Sequence, residues 1–180
     1  MRIFRSDNGL KLPDDERGVN IGCVFMDRKY WAMAQDNFWE TTELEDMSEA
    51  QWESLCDGCG KCCLIKLQDE VTDDIVFTDV VCDLLDAKTC QCSDYENRTI
   101  VVPDCVKLTP ENLSQVQFMP PSCSYRLLYE GQDLPAWHPL RTGNTTVMIN
   151  AKMSVRGRVI AESAYHDDIE ERVVDWPLAK

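Results

Sequence analysis

Four thiols fall within eight residues in the run Cys56-Asp57-Gly58-Cys59-Gly60-Lys61-Cys62-Cys63. Cysteines separated by two residues can wrap one cation, because a single turn brings both sulfurs to about 2.3 Å from a zinc ion. As free groups so close together they would repel when ionised and oxidise readily. Lys61 and nearby backbone N–H groups are expected to offset the charge of bound thiolates and lower their pKa values. After a gap of about twenty residues, a common distance between ligand pairs, come Cys82, Cys90, Cys92 and Cys105, with Cys123 further on. Two half-sites of this kind can close one four-ligand centre with thiols to spare, or two separate centres. Packing alone gives no reason for such spacing, although it suits the isolated Cys23.

The donors do not choose the metal. Cys56-x-x-Cys59-x-x-Cys62 equals the first three ligands of a bacterial ferredoxin run, but Cys63 follows at once, with no gap and no proline. A structural zinc held by thiolates fits the same chemistry. Zinc, iron and an iron–sulfur cluster all stay open at this point.

The whole chain bounds what else is possible. Its 180 residues, 44 % of them hydrophobic, suffice for one domain with a real core. Lys and Arg number 18 against 32 acids, for a net charge of −14. Gripping phosphates requires basic side chains, so nucleic acid is not the expected partner. The same sign disfavours anionic membrane surfaces. No segment approaches the roughly 18 apolar residues of a membrane span, and residues 1–11 lack the apolar core of a secretory signal. The expected location is cytoplasmic. Disulfides rarely persist there, so clustered thiols point to metal or redox chemistry.

Local signals predict the elements that position the thiols. Ser48 and Gln51 form a capping-box pattern, starting a helix that places Trp52 and Leu55 on one face and runs into Cys56. Gly58 and Gly60 then permit tight turns that aim thiolates inward. Residues 64–67 and 75–81 read as strands, separated by an acidic stretch over 68–74. Thr109-Pro110-Glu111 reads as a helix start. A second helix is expected over 122–130, stopped by Gly131. Residues 133–143 read as loop, and 147–160 have strand character interrupted by Gly157.

Specific stretches resemble a known family. They are residues 54–63, Cys82-Asp83-Leu84-Leu85, Cys92-Ser93-Asp94-Tyr95-Glu96-Asn97-Arg98, Cys105, Pro121-Ser122-Cys123-Ser124-Tyr125-Arg126 and Leu134-Pro135-Ala136-Trp137-His138-Pro139-Leu140. Together they are similar to the bacterial CxxCxxCC (YkgJ-type) family of zinc- or iron-chelating proteins, and within it to the uncharacterised YcgN-like subgroup. The resemblance covers roughly residues 37–160. It implies that Cys56, Cys59, Cys62, Cys63, Cys82, Cys92 and Cys105 form the chelating set, with Cys90 and Cys123 as further candidates. The broader family usually has Arg-Pro after the tyrosine, whereas Arg98 is followed here by Thr99, so the family's loop shape does not carry over, while the thiols do. Some relatives in the broader family are lysine methylases of flagellin, an analogy that fixes no activity.

The expected architecture is therefore a small α+β domain, cysteine-rich and loop-rich, organised around a metal centre with C-terminal helices. Residues 1–36 read as an N-terminal arm, either disordered or an upstream start. Residues 37–160 read as the chelating domain and 161–180 as a tail. The expected function is chelation of zinc or iron, in a module serving an unknown protein partner or in metal storage or delivery. The alternative is an iron–sulfur enzyme or redox protein. Of the two histidines, His138 reads as packed on Trp137 and bonded to backbone, with metal ligation as the less favoured reading, and His166 as exposed. Arg98 and Arg126 lie near cysteines. An ion pair with a surface acid is the favoured reading for Arg126. Acidic pairs such as Asp69-Glu70 and Asp73-Asp74 read as solvated faces.

Overall fold

The computed structural model describes the strand Arg2–Ile3 and residues 37–179. Cys23 and nearly all of the N-terminal arm lie outside the described residues. The fold is α+β, and two apolar clusters organise it.

The first cluster is built on a sheet. Strand β1 (Arg2–Ile3) pairs antiparallel with β2 (Leu64–Gln68), and β2 pairs antiparallel with β3 (Ile75–Val81). The β2–β3 connection is the acidic stretch foreseen as a separator. Asp69 closes it by accepting the N–H groups of Val71 and Thr72 at 2.8 and 3.0 Å, which explains acids there without a bound cation. A small antiparallel pair follows, β4 (Leu85–Asp86) with β5 (Gln91–Cys92). The other edge of β3 takes β6 (Ile160–Ala161) in parallel and β7 (Val173–Val174) antiparallel. Beneath this sheet, Leu64, Phe77, Val81, Leu85, Cys90 and Val155 bury one another.

The second cluster is helical. It gathers Phe38 and Trp39 from α1 (Phe38–Thr41), Trp52 from α2 (Glu49–Ser54) and Leu55 just beyond it. The foreseen capping box on α2 forms: Ser48 N–H donates to Gln51 Oε1 at 2.9 Å, and Gln51 N–H to Ser48 Oγ at 3.3 Å. Four-residue α3 (Arg98–Val101) lies apart on a loop. The start at Thr109 also forms, but the element is a 3-10 helix over Pro110–Phe118, contributing Leu113 and Val116. Helix α4 (Ser124–Tyr129) ends at Gly131, which takes φ +70°. There Gln132 N–H donates to Leu127 O at 2.7 Å, satisfying a free terminal carbonyl.

Two local expectations are corrected. The stretch 133–143 contains a helix, α5 (Pro139–Thr142), with proline at its first turn. Residues 146–150 form α6 (Thr146–Asn150), where a strand had been expected, and only Ile160–Ala161 pairs in the sheet. Val147 and Ile149 suit a strand by residue type, but tertiary context overrides that preference. Asn144 Oδ1 accepts Thr146 N–H at 2.9 Å and opens the turn, and Met148 is buried against Cys59 and Met153.

No helix among the described residues is long and apolar enough to cross a membrane.

Candidate metal centre

The seam between the two clusters is a cavity of about 300 Å³. Eight thiols line it: Cys56, Cys59, Cys62, Cys63, Cys82, Cys92, Cys105 and Cys123. Each arrives for a local reason. Helix α2 ends at Cys56. Gly58 and Gly60, at φ +70° and +77°, fold the next residues back, and Cys63 N–H donates to Gly60 O at 3.1 Å. Cys82 N–H donates to Cys63 O at 3.0 Å, which sets the end of β3 beside the first thiol group. The β4–β5 pairing brings Cys92 opposite Leu85. Cys123 precedes α4, and His138 ties that region to Cys56. The ring Nε2 lies 2.8 Å from Ser124 Oγ and 3.2 Å from Leu55 O, each one residue from a cavity thiol.

Cys90 does not join them. It takes a left-handed backbone, φ +59°, at the β4–β5 turn. Its sulfur is buried in the sheet cluster, 3.2 Å from Ser154 Oγ. It lies two residues from Cys92, yet the turn between them sends the two side chains to different surroundings.

The electrostatics favour a cation. Burial pushes the thiols of Cys56 and Cys59 well up, and the charge of Asp57 adds to this. Burial also raises Cys82 and Cys105, and lifts Cys123 to about 12. Cys62 moves the other way, to about 7, first through its hydrogen bond with Cys63 at 3.9 Å and then through the ammonium of Lys66. Thiolates that are hard to ionise alone become stable beside a metal ion, so this donor set fits one. The 3.9 Å separation is close to the ~3.8 Å between two sulfurs on one tetrahedral zinc. Among the described residues, no group of three Cys, His, Asp or Glu side chains is already gathered tightly enough to hold one ion.

Lys61 acts on a thiol as expected: its backbone N–H bonds to Cys59 and opposes the rise in that thiol's pKa, and its ammonium feels the Cys59 charge. It is fully buried, and its ammonium donates to Ser122 Oγ at 3.0 Å and to the carbonyls of Pro177 and Ala179 at 3.4 Å. It fastens the end of the chain to the thiol loop. Lys66 is a second cation beside the thiols, and the charges of Cys62, Cys63, Cys105 and Cys123 all act on it. Its ammonium is held by the carbonyls of Cys62 and Leu64, both at 2.8 Å. Sequence reading missed Lys66 because it lies in an apolar strand, where a charge gives no motif. It also missed Asp57, whose position between two thiols was the available signal.

Arg98 lines the cavity, with its guanidinium 3.7 Å from the Tyr95 ring centre, and the Tyr95 hydroxyl donates to Glu53 at 3.0 Å. Arg126 forms the surface ion pair foreseen for it, with Glu130 at 2.7 Å. His166 is exposed.

His138 is fully buried and does not line the cavity. Its Nδ1 accepts Leu140 N–H at 3.1 Å, which leaves the proton on Nε2. Burial is the largest influence on the ring and lowers its pKa; Asp57 opposes this and Arg141 adds to it. A lowered pKa means that the unfolded chain binds the proton more readily. The stabilisation is therefore complete above about pH 6.5 and is lost as pH falls below it, by at most about 1.4 kcal/mol per pH unit. Urea unfolding of wild type and His138→Gln across pH 5 to 8 should show this extra slope in wild type alone. Parallel slopes would refute it.

Comparison with known proteins shows what the chain is similar to. A family model named CxxCxxCC, described as "Putative zinc- or iron-chelating domain", matches residues 55–124. All eight cavity thiols fall within that stretch. A UPF0260 protein of Parvibaculum lavamentivorans is 57 % identical over 146 residues, covering 81 % of this chain and 95 % of the relative. One of Gluconobacter oxydans is 54 % identical over 140 residues, covering 78 % and 85 %. One of Klebsiella pneumoniae is 53 % identical over 144 residues, covering 80 % and 92 %. No solved structure matches. The chain belongs to the UPF0260 family and carries its thiol cavity within a CxxCxxCC domain.

Proposed function

We propose that this protein binds zinc or iron through the thiols of the cavity. The observation that carries the reading is the convergence of eight of the nine described cysteines on one cavity. They come from stretches far apart in sequence, so chance clustering of local motifs does not account for it. The candidate ligands are Cys56, Cys59, Cys62, Cys63, Cys82, Cys92 and Cys105, joined by Cys123. Ligation would tie the loop after α2 to the turns beyond β3 and to the start of α4.

A second reading is an iron–sulfur centre. It is favoured by the number of thiols around the cavity, more than one ion takes. A multi-atom cluster spans such a space. Redox chemistry or an enzymatic role would follow from that centre, with Arg98 and Tyr95 on the same wall.

Elemental analysis of protein purified without oxygen tests both readings. Zinc in a colourless protein supports the first, and iron with sulfide and broad visible absorbance supports the second. Cys62→Ser should remove at least half of the bound metal. Cys90→Ala should leave it unchanged, because its sulfur faces Ser154. Metal-free wild-type protein would rule out metal binding. Equal loss in the two variants would rule out the ligand set.

A further inference from the structure

Asp57 lies between the first two cavity thiols in sequence and is only 5 % exposed. It lines the same cavity. One carboxylate oxygen has a clear structural role, since Oδ1 accepts Cys59 N–H at 2.9 Å and holds the turn. The other, Oδ2, is buried without a nitrogen or oxygen partner, and the side chain the carboxylate does meet is the Cys59 thiol. A buried carboxylate oxygen left bare is strongly unfavourable unless a cation comes to it. Lys61, four residues on, does not do so, because its ammonium is directed to Ser122 and the two C-terminal carbonyls. Asp57 is the foremost charge acting on Cys56 and Cys59, the thiols on either side of it in the loop.

We propose that Asp57 is itself a metal ligand, supplying Oδ2 as one of four donors beside cavity thiolates, Cys56 and Cys59 first among them. The inference rests on the metal-binding reading and adds a residue outside the thiol set. Zinc and iron both accept carboxylate oxygen together with sulfur, whereas softer ions such as copper(I) prefer sulfur alone. An oxygen ligand also explains a buried acid in a place already crowded with groups that ionise to anions.

Asp57→Asn separates the two oxygens. The amide oxygen still accepts Cys59 N–H, while the anionic donor is gone. Metal-stripped protein, kept reduced, is titrated with zinc(II) alone. The variant should bind zinc at least about tenfold more weakly than wild type. Without metal it should melt close to the wild-type temperature, because the amide oxygen keeps the bond from Cys59 N–H. X-ray absorption of zinc-loaded wild type should show a light oxygen donor beside sulfur, and the variant should lose or lengthen it. Unchanged zinc affinity, or an all-sulfur shell in wild type, overturns the proposal. So does a metal-free variant that melts well below wild type, since that marks Asp57 as purely structural. Wild-type protein that takes up neither zinc nor iron overturns the metal-binding reading as well.

Discussion

Stripping the metal is expected to melt the thiol-bearing loops before the helical cluster beside them, and to lower the melting temperature by at least about 10 °C. Apart from Leu85 and Cys90, which join the sheet cluster, the loops from Cys82 to Cys105 have little else to hold them. Their regular structure is two strands of two residues each and the single turn α3, where Ile100 is 78 % exposed and Val101 is also exposed. Such segments sit at the low end of local stability. A structural zinc site contributes on the order of 10 kcal/mol of apparent folding free energy, far more than these turns supply. The helical cluster around Trp52, Leu113 and Tyr125 has its own apolar burial and does not need the metal. Hydrogen exchange before and after chelation reads the difference. The amides of Leu85, Ser93 and Cys105, all bonded to backbone carbonyls, should lose protection. Those of Leu127 and Gln132 should keep most of theirs. Chelated protein with full protection in both regions and an unchanged melting temperature would mean that the centre has no structural role.

Gly60→Ala should destabilise the protein by about 2–5 kcal/mol, the sum of two separate penalties. The backbone there is left-handed, which costs an L-residue with a side chain about 1–2 kcal/mol. The added methyl would also lie 2.7 Å from Val155 Cγ2 and 3.3 Å from Leu85 Cδ2. Val155 is fully buried, and its N–H is bonded to Cys59 O at 2.9 Å, so it has no room to yield. Overpacking of this kind costs about 1–3 kcal/mol more. Gly58 is the internal control. Its φ is +70°, but a Cβ there meets nothing within 4 Å. Gly58→Ala should therefore cost only about 1–2 kcal/mol. Urea denaturation of both variants measures the gap. Equal losses would show that the contact with Val155 is not what requires glycine at position 60.

The sequence was most legible where hydrogen bonds are local. The Ser48–Gln51 box, the stop at Gly131 and the β2–β3 hairpin each depend on residues a few positions apart, and each forms at or near its expected place. It was least legible over 146–150. There the residue types favour a strand, but burial of Met148 against Cys59 and Met153 selects a helix. No local pattern carries that contact.

The site divides along the same line. Sequence alone determined the thiol inventory, the spacing that groups it and the glycines that let the first loop turn, because these are properties of adjacent residues. Tertiary structure decided which thiols share a space. The left-handed turn at Cys90 removes that sulfur to the sheet cluster, and the His138 bridge between Leu55 and Ser124 admits Cys123. It also decided where each lysine ammonium is fastened and buried Asp57 Oδ2 beside the thiols. Direction and burial of a side chain follow from sheet register and from long-range packing, and a linear pattern encodes neither.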